Sequence, residues 1–348
     1  MKKRTTTSRK RDHVELTVKK DVAFRGKTAG FEEWEFVHNA LPEINLSDVD
    51  TSTEFFGKKL SFPLLISCMT GGYAEAEKIN RQLAEVCEEF RIAMGVGSQR
   101  QAMENATYHS SFSSARKAAP SIPLIGNIGA PEVAKLNDVS PILKLAELIR
   151  ADAFAVHLNP LQEFLQPEGN TNFRGVLNGI ERLVKGLPVP VIVKEIGAGI
   201  SYDVAVRLTN IGVRYIDVAG AGGTSWAGVE ILRREKEEQA EWDPFWDWGI
   251  RTTDALQQVV RLKKNITGLH VIASGGISGG IDCAKSIALG ADITAAARPL
   301  LKALMNGGKT GLNKKIEQWM REFRGAMFLI GAANLMQVQS TNALKLKQ

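Results

Sequence analysis

A glycine-rich stretch near the end of this 348-residue chain carries its clearest chemical signal. An apolar run over residues 269–273 leads into four glycines between residues 275 and 280, a helical pattern over 281–289 and a second apolar run that reaches Arg298. Glycines between a strand and a helix let backbone N–H groups close on an anion, and the helix N-terminus adds a favourable dipole. Two such turns in succession match the phosphate site that barrels build after strands 7 and 8. The stretch therefore predicts a bound phosphate group; a plain tight turn is the alternative.

Polar residues also end six earlier apolar runs. These ends are MTGG (69–72), GSQR (97–100), GNIG (126–129), HLNPLQE (157–163), VKEIG (193–197) and AGAGGTSW (219–226). In a barrel the carboxyl ends of the strands meet at one rim and carry the chemistry. Packing does not explain polar residues at so many strand ends, so the pattern indicates a binding or active site.

The elements that must position these residues alternate regularly. Helical patterns separate eight apolar runs, which predict strands within residues 62–69, 92–98, 123–129, 153–159, 189–197, 215–220, 269–276 and 291–297. Eight strand–helix units predict an α/β fold of the closed (β/α)8 TIM barrel type. An open doubly wound sheet is the alternative, but no GxGxxG motif follows the first strand.

The barrel is expected to span residues 61–330. Residues 1–15 are expected to form a flexible basic arm, because five of the first ten residues are Lys or Arg. Residues 16–60 are expected to cap the barrel, and residues 331–348 to form a C-terminal tail.

Between strand six and its helix lie about thirty residues, 221–250, which is long for a connection in a compact domain. We expect its aromatic residues Trp242, Trp246 and Trp248 to pack against a neighbouring subunit.

Composition restricts the class of protein. An apolar content of 44% and a charged content of 24% are ordinary for a globular protein. No apolar run approaches the ~20 residues of a membrane span. The net charge of +6 is concentrated in the basic arm, and no nucleic-acid motif accompanies it, so we expect no nucleic-acid partner. Three cysteines without metal-type spacing and the lack of a secretory signal indicate a cytoplasmic protein.

Together these motifs resemble those of the type 2 isopentenyl-diphosphate isomerases, the flavin-dependent isomerases. The resemblance covers nearly the whole chain, from RKRDH (9–13) to ARP (297–299). HLNPLQE and the RKxxH arm are its specific motifs, whereas SGG followed by GAD is shared by many flavin barrels. The resemblance implies a barrel that binds FMN and Mg²⁺, obtains reduced FMN from NADPH or NADH, and assembles as a homotetramer or homo-octamer.

The resemblance assigns many of these residues to the cofactor. Backbone N–H groups of the two glycine-rich turns are expected to hold the flavin phosphate. Lys194 is expected beside the electron-rich edge of the reduced ring. The expected FMN-binding residues are Cys68, Met69, Thr70, Ser98, Asn127, Lys194, Thr224, Ser274, Gly275, Gly276, Ala295 and Ala296.

A diphosphate substrate calls for cations and hydrogen-bond donors. The expected substrate-binding residues are Arg9, Lys10, His13, Ser98, Arg100, His157, Asn159 and Gln162. Glu163, the one carboxylate of HLNPLQE, is the expected metal ligand, because Mg²⁺ is commonly held by one carboxylate together with phosphate oxygens and waters.

The implied reaction interconverts isopentenyl and dimethylallyl diphosphate for isoprenoid biosynthesis. It shifts one double bond without net electron transfer, so reduced FMN is expected to act as an acid–base group. The expected catalytic residues are Gln162 at the hydrocarbon end, Trp226 against a developing positive charge and Glu230 as a proton relay.

Two other functions fit parts of the sequence. An FMN-dependent barrel that oxidises 2-hydroxy acids needs a His base beside an Arg after strand seven, and SGGISGGID (274–282) carries neither. A non-catalytic phosphate-binding or nucleic-acid-binding module that uses the basic arm would carry no flavin.

Overall fold

In this computed structural model, the described chain runs from residue 6 to residue 347. Its strands are β1 (Trp34–Phe36), β2 (Thr53–Phe55), β3 (Lys58–Leu60), β4 (Leu64–Ile66), β5 (Ala93–Gly95), β6 (Leu124–Gly129), β7 (Ala153–His157), β8 (Val191–Lys194), β9 (Tyr215–Asp217), β10 (His270–Ser274), β11 (Ile293–Ala296) and β12 (Leu344–Leu346). Its α-helices are α1 (Thr6–Lys19), α2 (Ala76–Phe90), α3 (Arg100–Glu104), α4 (Ser110–Ala118), α5 (Ala130–Val133), α6 (Ser140–Ile149), α7 (Pro160–Leu165), α8 (Val176–Gly186), α9 (Tyr202–Asn210), α10 (Trp226–Leu232), α11 (Lys236–Trp242), α12 (Thr252–Val260), α13 (Gly280–Ala288), α14 (Arg298–Leu329) and α15 (Leu335–Gln339). Short 3-10 helices lie at Phe31–Glu33, Leu46–Asp48, Asp243–Phe245 and Arg261–Lys264.

Eight parallel strands, β4 to β11, close into a barrel in chain order, with β11 hydrogen-bonded to β4. This confirms the predicted TIM barrel, and each barrel strand lies inside the apolar run that predicted it. All six residues of β6 are buried, as expected for a parallel strand covered on both faces. The strands are shorter than the apolar runs because the chain leaves the ladder where the polar residues begin, for example at Lys194.

An antiparallel hairpin, β2–β3, closes the amino-terminal end of the barrel. Phe55 and Leu60 of this hairpin are buried in one cluster with inward-facing strand residues such as Ile125. Lys58 fixes the hairpin to the barrel, because its Nζ lies 2.6 Å from the carboxylate of Asp152, just before β7. The segment expected to cap the barrel thus supplies the floor of its interior.

The first part of the same segment lies at the opposite rim. Ser225 donates its backbone N–H to the Val22 carbonyl at 2.8 Å, and Phe24 donates to the Gly223 carbonyl at 3.3 Å. Before it, Thr6–Lys19 is helical, where most of the flexible arm was expected. Arg298 donates to the carbonyls of Thr17 and Lys20, each at 2.9 Å, and so holds the carboxyl end of α1 on the barrel. Flexibility of residues 1–15 in solution stays a prediction, and residues 1–5 lie outside the described residues.

The last residues continue the fold beyond the long helix α14. Helix α15 follows, and β12 pairs antiparallel with β1, Phe36 opposite Leu344. Residues 331–347, expected as a tail, therefore contain a helix and a strand. Among residues 6–347, no helix has both the length and the apolar character that crossing a membrane requires.

Residues 221–250 form two helices, α10 and α11, and a 3-10 turn. The expectation that Trp246 packs against a neighbouring subunit is wrong, because its own chain already buries it to 4% exposure. The indole packs with Leu165, Ala227 and Ile231, and its N–H donates to the Ala23 carbonyl at 2.8 Å. Helix α10 therefore folds back against α7 instead of leaving the barrel.

We predict that Phe55→Ala lowers the free energy of unfolding by ~3–5 kcal/mol, since it empties the floor of the barrel. The measurement is equilibrium unfolding in urea. Leu346→Ala is the control: its side chain is 57% exposed, and we expect a change within ~0.5 kcal/mol. Equal losses in the two variants would show that the hairpin does not stabilise the barrel.

Candidate active site

Two adjoining cavities open at the carboxyl-terminal rim of the barrel. The larger has a volume of about 340 Å³ and the smaller about 130 Å³. The residues that line both are His13, Cys68, Met69, Lys194, Ile196 and Trp226. Because these six side chains form a common wall, the cavities are two compartments of one site.

Backbone of the glycine-rich loops bounds much of the larger cavity. Gly275 and Gly276 have positive φ angles of 99° and 72°, which favour glycine. A Cβ on Gly275 would lie 2.1 Å from the Gly220 carbonyl oxygen, so the loops after β9 and β10 approach backbone to backbone. The cavity also contains Arg298, where α14 begins. Glycine backbone that a ligand can approach closely and a helix N-terminus make this end of the cavity suitable for a phosphate.

Lys194 stands between the two cavities with only 6% of its surface exposed. Its Nζ lies 3.6 Å from Oδ2 of Asp217 and donates to the carbonyl of Glu195 at 2.6 Å. Oδ1 of Asp217 accepts from the hydroxyl of Ser274. Asp217 therefore fixes two expected flavin-binding side chains. Sequence reasoning missed it, although a single charged residue in the apolar strand YIDVAG was a usable signal.

The smaller cavity brings together more positive than negative charge. Nζ of Lys10 donates to the Ser98 carbonyl at 2.6 Å. Burial, and then the neighbouring Arg9, lower the pKa of Lys10 to about 7. Burial, followed by Lys194, Lys10 and Arg9, lowers the pKa of His157 to about 3, so this imidazole is neutral near pH 7. Burial is the larger cause of both shifts and the neighbouring cations the second, and a bound anion would offset that second cause by supplying negative charge.

Opposite these cations lies a hydrogen-bonded network of polar side chains. Nδ2 of Asn159 donates to Oε1 of Glu163 at 3.0 Å and to Oε1 of Gln162 at 3.2 Å. Nε2 of Gln162 in turn donates to Oε1 of Glu230 at 3.0 Å. Nε2 of His13 lies 2.8 Å from the same Glu230 oxygen. The network thus connects helix α1 to helices α7 and α10.

Glu230 is fully buried behind Gln162 and lines neither cavity. Burial alone raises its pKa, but His13, Arg233 and Gln162 hold the pKa down at about 2. Glu230 is therefore a carboxylate at any pH near neutrality. In front of it, the rings of His13 and Trp226 meet edge to face with centroids 5.2 Å apart.

All eight side chains expected to bind substrate line the smaller cavity, and so does Glu163. Of the expected cofactor residues, the larger cavity is lined by Cys68, Met69, Lys194, Thr224, Ser274, Gly275, Gly276, Ala295 and Ala296, whereas Ser98 and Asn127 line the smaller one alone. Thr70 lines neither cavity: it is 1% exposed, and its hydroxyl donates to Asn80. The binding roles of all these residues stay predictions.

Several lining residues were not selected from the sequence. Val14, Thr17 and Ala23 reach the larger cavity from the N-terminal segment, and Arg298 reaches it from α14. No local pattern marks them, because their position depends on how α1 packs across the rim. Burial raises the pKa of Cys68, which lines both cavities, to about 12. Its thiol is therefore neutral and acts as a small packing group.

Comparison with known proteins identifies the class. A family model described as FMN-dependent dehydrogenase matches residues 2–117 and 154–345. Among solved structures, flavocytochrome b2 superposes with a TM-score of 0.70 at 18% identity, over 96% of this chain and 82% of that one. A lactate oxidase of Pediococcus acidilactici superposes with a TM-score of 0.68 at 18% identity, over 96% of this chain and 87% of that one. Likeness at such low identity shows the fold alone; the family match makes this an FMN-dependent dehydrogenase-type barrel.

Relatives of much higher sequence identity show which family within this class the chain belongs to. The isopentenyl-diphosphate delta-isomerase of Pelodictyon phaeoclathratiforme is 49% identical over 344 residues, which cover 96% of each chain. That of Nostoc sp. is 44% identical over 341 residues, 98% of this chain and 96% of the relative. The chain belongs to the isopentenyl-diphosphate delta-isomerase family.

The lowered pKa of Lys10 predicts that binding of inorganic diphosphate weakens as the pH rises above about 7. An anion favours the charged amine and raises its pKa, so binding takes up a proton above that pH, and affinity falls by up to ~10-fold per pH unit. Titration calorimetry at a series of pH values measures this. The side chain of the Lys10→Arg variant stays charged, so its diphosphate affinity should not fall in this way as the pH rises. Ionisation of the diphosphate itself affects both proteins equally and cancels in the comparison. If affinity changed with pH in the same way in wild type and Lys10→Arg, Lys10 would not be the group whose titration controls binding.

Proposed function

We propose that this protein interconverts isopentenyl diphosphate and dimethylallyl diphosphate, with reduced FMN as an acid–base cofactor. The observation that carries the proposal is the pair of adjoining cavities, one lined by glycine-rich loops and one by cations, which share Lys194 and Trp226 as a common wall. The curated relatives bear the name of this activity at 44–49% identity over nearly the full chain.

The larger cavity fits FMN. Its volume of about 340 Å³ lies within the range of small-molecule sites. Gly275, Gly276 and the start of α14 would hold the phosphate, and Lys194 would face the ring, held in place by Asp217. When bound and reduced, FMN would supply a proton donor and acceptor for the shift of the double bond. NADPH or NADH is the proposed reductant.

The smaller cavity would hold the substrate. Arg9, Lys10 and Arg100 supply positive charge for the diphosphate, and the neutral His157 supplies a hydrogen bond. Trp226 lies in the wall shared with the flavin cavity, where its indole face would stabilise positive charge on the hydrocarbon. Gln162 and His13 both contact Glu230, so a proton route from this cavity would pass through either side chain to that carboxylate.

Glu163 fits the role of Mg²⁺ ligand. Its oxygens accept from Asn159 Nδ2 at 3.0 Å and from the Asn170 backbone N–H at 2.6 Å, which fixes the carboxylate at the cavity. In residues 6–347 there is no cluster of three or more His, Cys, Asp or Glu side chains able to hold a metal. A metal here would therefore take Glu163 together with diphosphate oxygens and waters, as Mg²⁺ commonly does.

Oxidation of a 2-hydroxy acid is the second candidate, because the structural neighbours include such oxidases. In the described loop after β10, residues 275–279 are Gly, Gly, Ile, Ser and Gly, so neither the His base nor the Arg of that chemistry is present there. This favours the isomerase. A homotetrameric or homo-octameric assembly, a cytoplasmic location and a place in isoprenoid biosynthesis belong to the same proposal and rest on the family resemblance.

Because the reaction transfers no net electrons, we predict that NADPH is needed in catalytic, not stoichiometric, amount. Isopentenyl diphosphate is incubated with the protein, FMN, Mg²⁺ and NADPH, and then with each component omitted. Product is quantified chromatographically and NADPH by its absorbance. Many turnovers per NADPH are expected; consumption of one NADPH per product would identify a reductase instead.

Glu163→Gln keeps the size of the side chain and removes its charge. We predict weaker Mg²⁺ dependence and a ~10–100-fold loss of activity, with FMN retained. Glu132→Gln is the matched control, since Glu132 lines the same cavity but pairs with Arg100 at 3.4 Å, and its Mg²⁺ dependence should not change. Kinetics at several Mg²⁺ concentrations and the flavin absorbance provide the measurements. Loss of FMN from Glu163→Gln would place this carboxylate in the flavin site.

A further inference from the structure

Arg233, the residue after α10, carries a guanidinium that is only 1% exposed. It contacts two carboxylates, those of Glu230 and of Glu168, the latter at 2.7 Å. Burying an ion costs several kcal/mol unless opposite charges and hydrogen bonds pair with it. A buried cation between two carboxylates beside the smaller cavity therefore needs a physical explanation.

The contact with Glu230 determines what Glu230 can do. An ionised carboxylate has no proton to donate, so each group that it contacts must present a donor. Arg233, His13 and Gln162 all reach it through nitrogen atoms. His13 and Arg233 thus together keep a pure acceptor at this position in the fold.

Because the Glu230 carboxylate can only accept hydrogen bonds, it fixes which way two neighbouring side-chain amides are oriented. Nε2 of Gln162 must point at Glu230, so its Oε1 faces Asn159 and accepts from Nδ2 at 3.2 Å. The same Nδ2 donates to Glu163 at 3.0 Å. This leaves Oδ1 of Asn159 buried and without a hydrogen-bond partner within the described part of the chain.

The contact between Arg233 and Glu168 affects the other carboxylate oxygen of Glu163, Oε2. Gly169 packs so closely that a Cβ there would lie 1.9 Å from the Glu163 carbonyl oxygen. The next backbone N–H, that of Asn170, donates to Oε2 of Glu163 at 2.6 Å. By holding Glu168, Arg233 fixes the turn that orients this second carboxylate oxygen.

We infer that Arg233 is a positioning residue for the metal–diphosphate end of the site, an inference that rests on the proposed function. Together with His13 it holds Glu230 as an acceptor, and the orientation of the two amides then leaves Oδ1 of Asn159, a residue that lines the smaller cavity, as an unpaired acceptor. Oxygen is the ligand atom that Mg²⁺ and hydrated Mg²⁺ prefer. If the amides of Gln162 and Asn159 were both flipped, Asn159 would present an NH₂ group to the cation instead.

The test uses the full-length, FMN-loaded protein. Mg²⁺-dependent binding of inorganic diphosphate is measured by calorimetry, and kcat/KM with isopentenyl diphosphate. Arg233→Gln is expected to weaken both by ~10–100-fold while the flavin content stays unchanged. Arg234→Gln is the matched control: Arg234 fixes the same helix, but through the Leu165 carbonyl at 2.6 Å and the ring of Trp242 at 4.2 Å. It should change both quantities by less than ~2-fold.

Two further variants separate positioning from mere stability. Arg233→Lys keeps the charge and should recover most of the diphosphate binding. In a Glu230→Gln background only the contact between Arg233 and Glu168 is left to lose, so adding Arg233→Gln should cost clearly less than it does in the wild-type background. That background also leaves no unpaired carboxylate at position 230, which keeps the comparison valid if the single Arg233→Gln variant does not fold.

Equal losses in Arg233→Gln and Arg234→Gln, or additive losses in the double variant, would overturn the inference. The proposed function is tested separately by the wild-type protein. If wild type does not isomerise isopentenyl diphosphate but its Mg²⁺–diphosphate binding depends on Arg233 as described, the proposed function fails and the positioning role stands.

Discussion

Closure of the parallel barrel is the constraint on which the rest of the structure depends. Because all eight strands run in one direction, the hydrogen-bonded ring brings every carboxyl end to the same rim. Residues far apart in the chain, such as Cys68 and Ala295, therefore line one cavity. The opposite end receives apolar side chains, where Phe55 and Leu60 fill the interior. One backbone arrangement thus separates a stabilising end from a chemical end.

At the chemical end, charge distinguishes the two cavities more than shape does. The larger cavity is bounded by glycine backbone and by two cations, Arg298 and Lys194, of which Lys194 is paired with Asp217. The smaller cavity collects cations that nearby carboxylates offset only in part, and burial, followed by this imbalance, lowers the pKa values of Lys10 and His157. The free protein therefore holds an unfavourable electrostatic energy that a bound polyanion relieves, so site preorganisation and ligand affinity have the same origin.

The sequence predicted the barrel strands because each is a short apolar run that ends in polar residues, as β8 does at Lys194. It also predicted that the residues at the strand ends gather at one rim, since strand direction determines that. What it could not predict depends on contacts between distant segments. Arg298 holds α1 by backbone carbonyls, which leave no trace in side-chain identity. Trp246 is buried by a helix that folds back, and Thr70, although at a strand end, turns its hydroxyl toward Asn80.

The pairing of β4 with β11, which closes the barrel, has a consequence for how the protein folds during its synthesis. Leu64 of β4 pairs with Thr294 of β11, so the ring joins residues near the two ends of the chain. Loop-closure entropy makes such distant pairings slow to form. On the ribosome, β4 must wait with one edge unpaired until β11 emerges, and an exposed strand edge is a template for aggregation. We therefore expect the yield of native protein to depend on how long this incomplete ring persists, and so on chaperones and on the rate of translation.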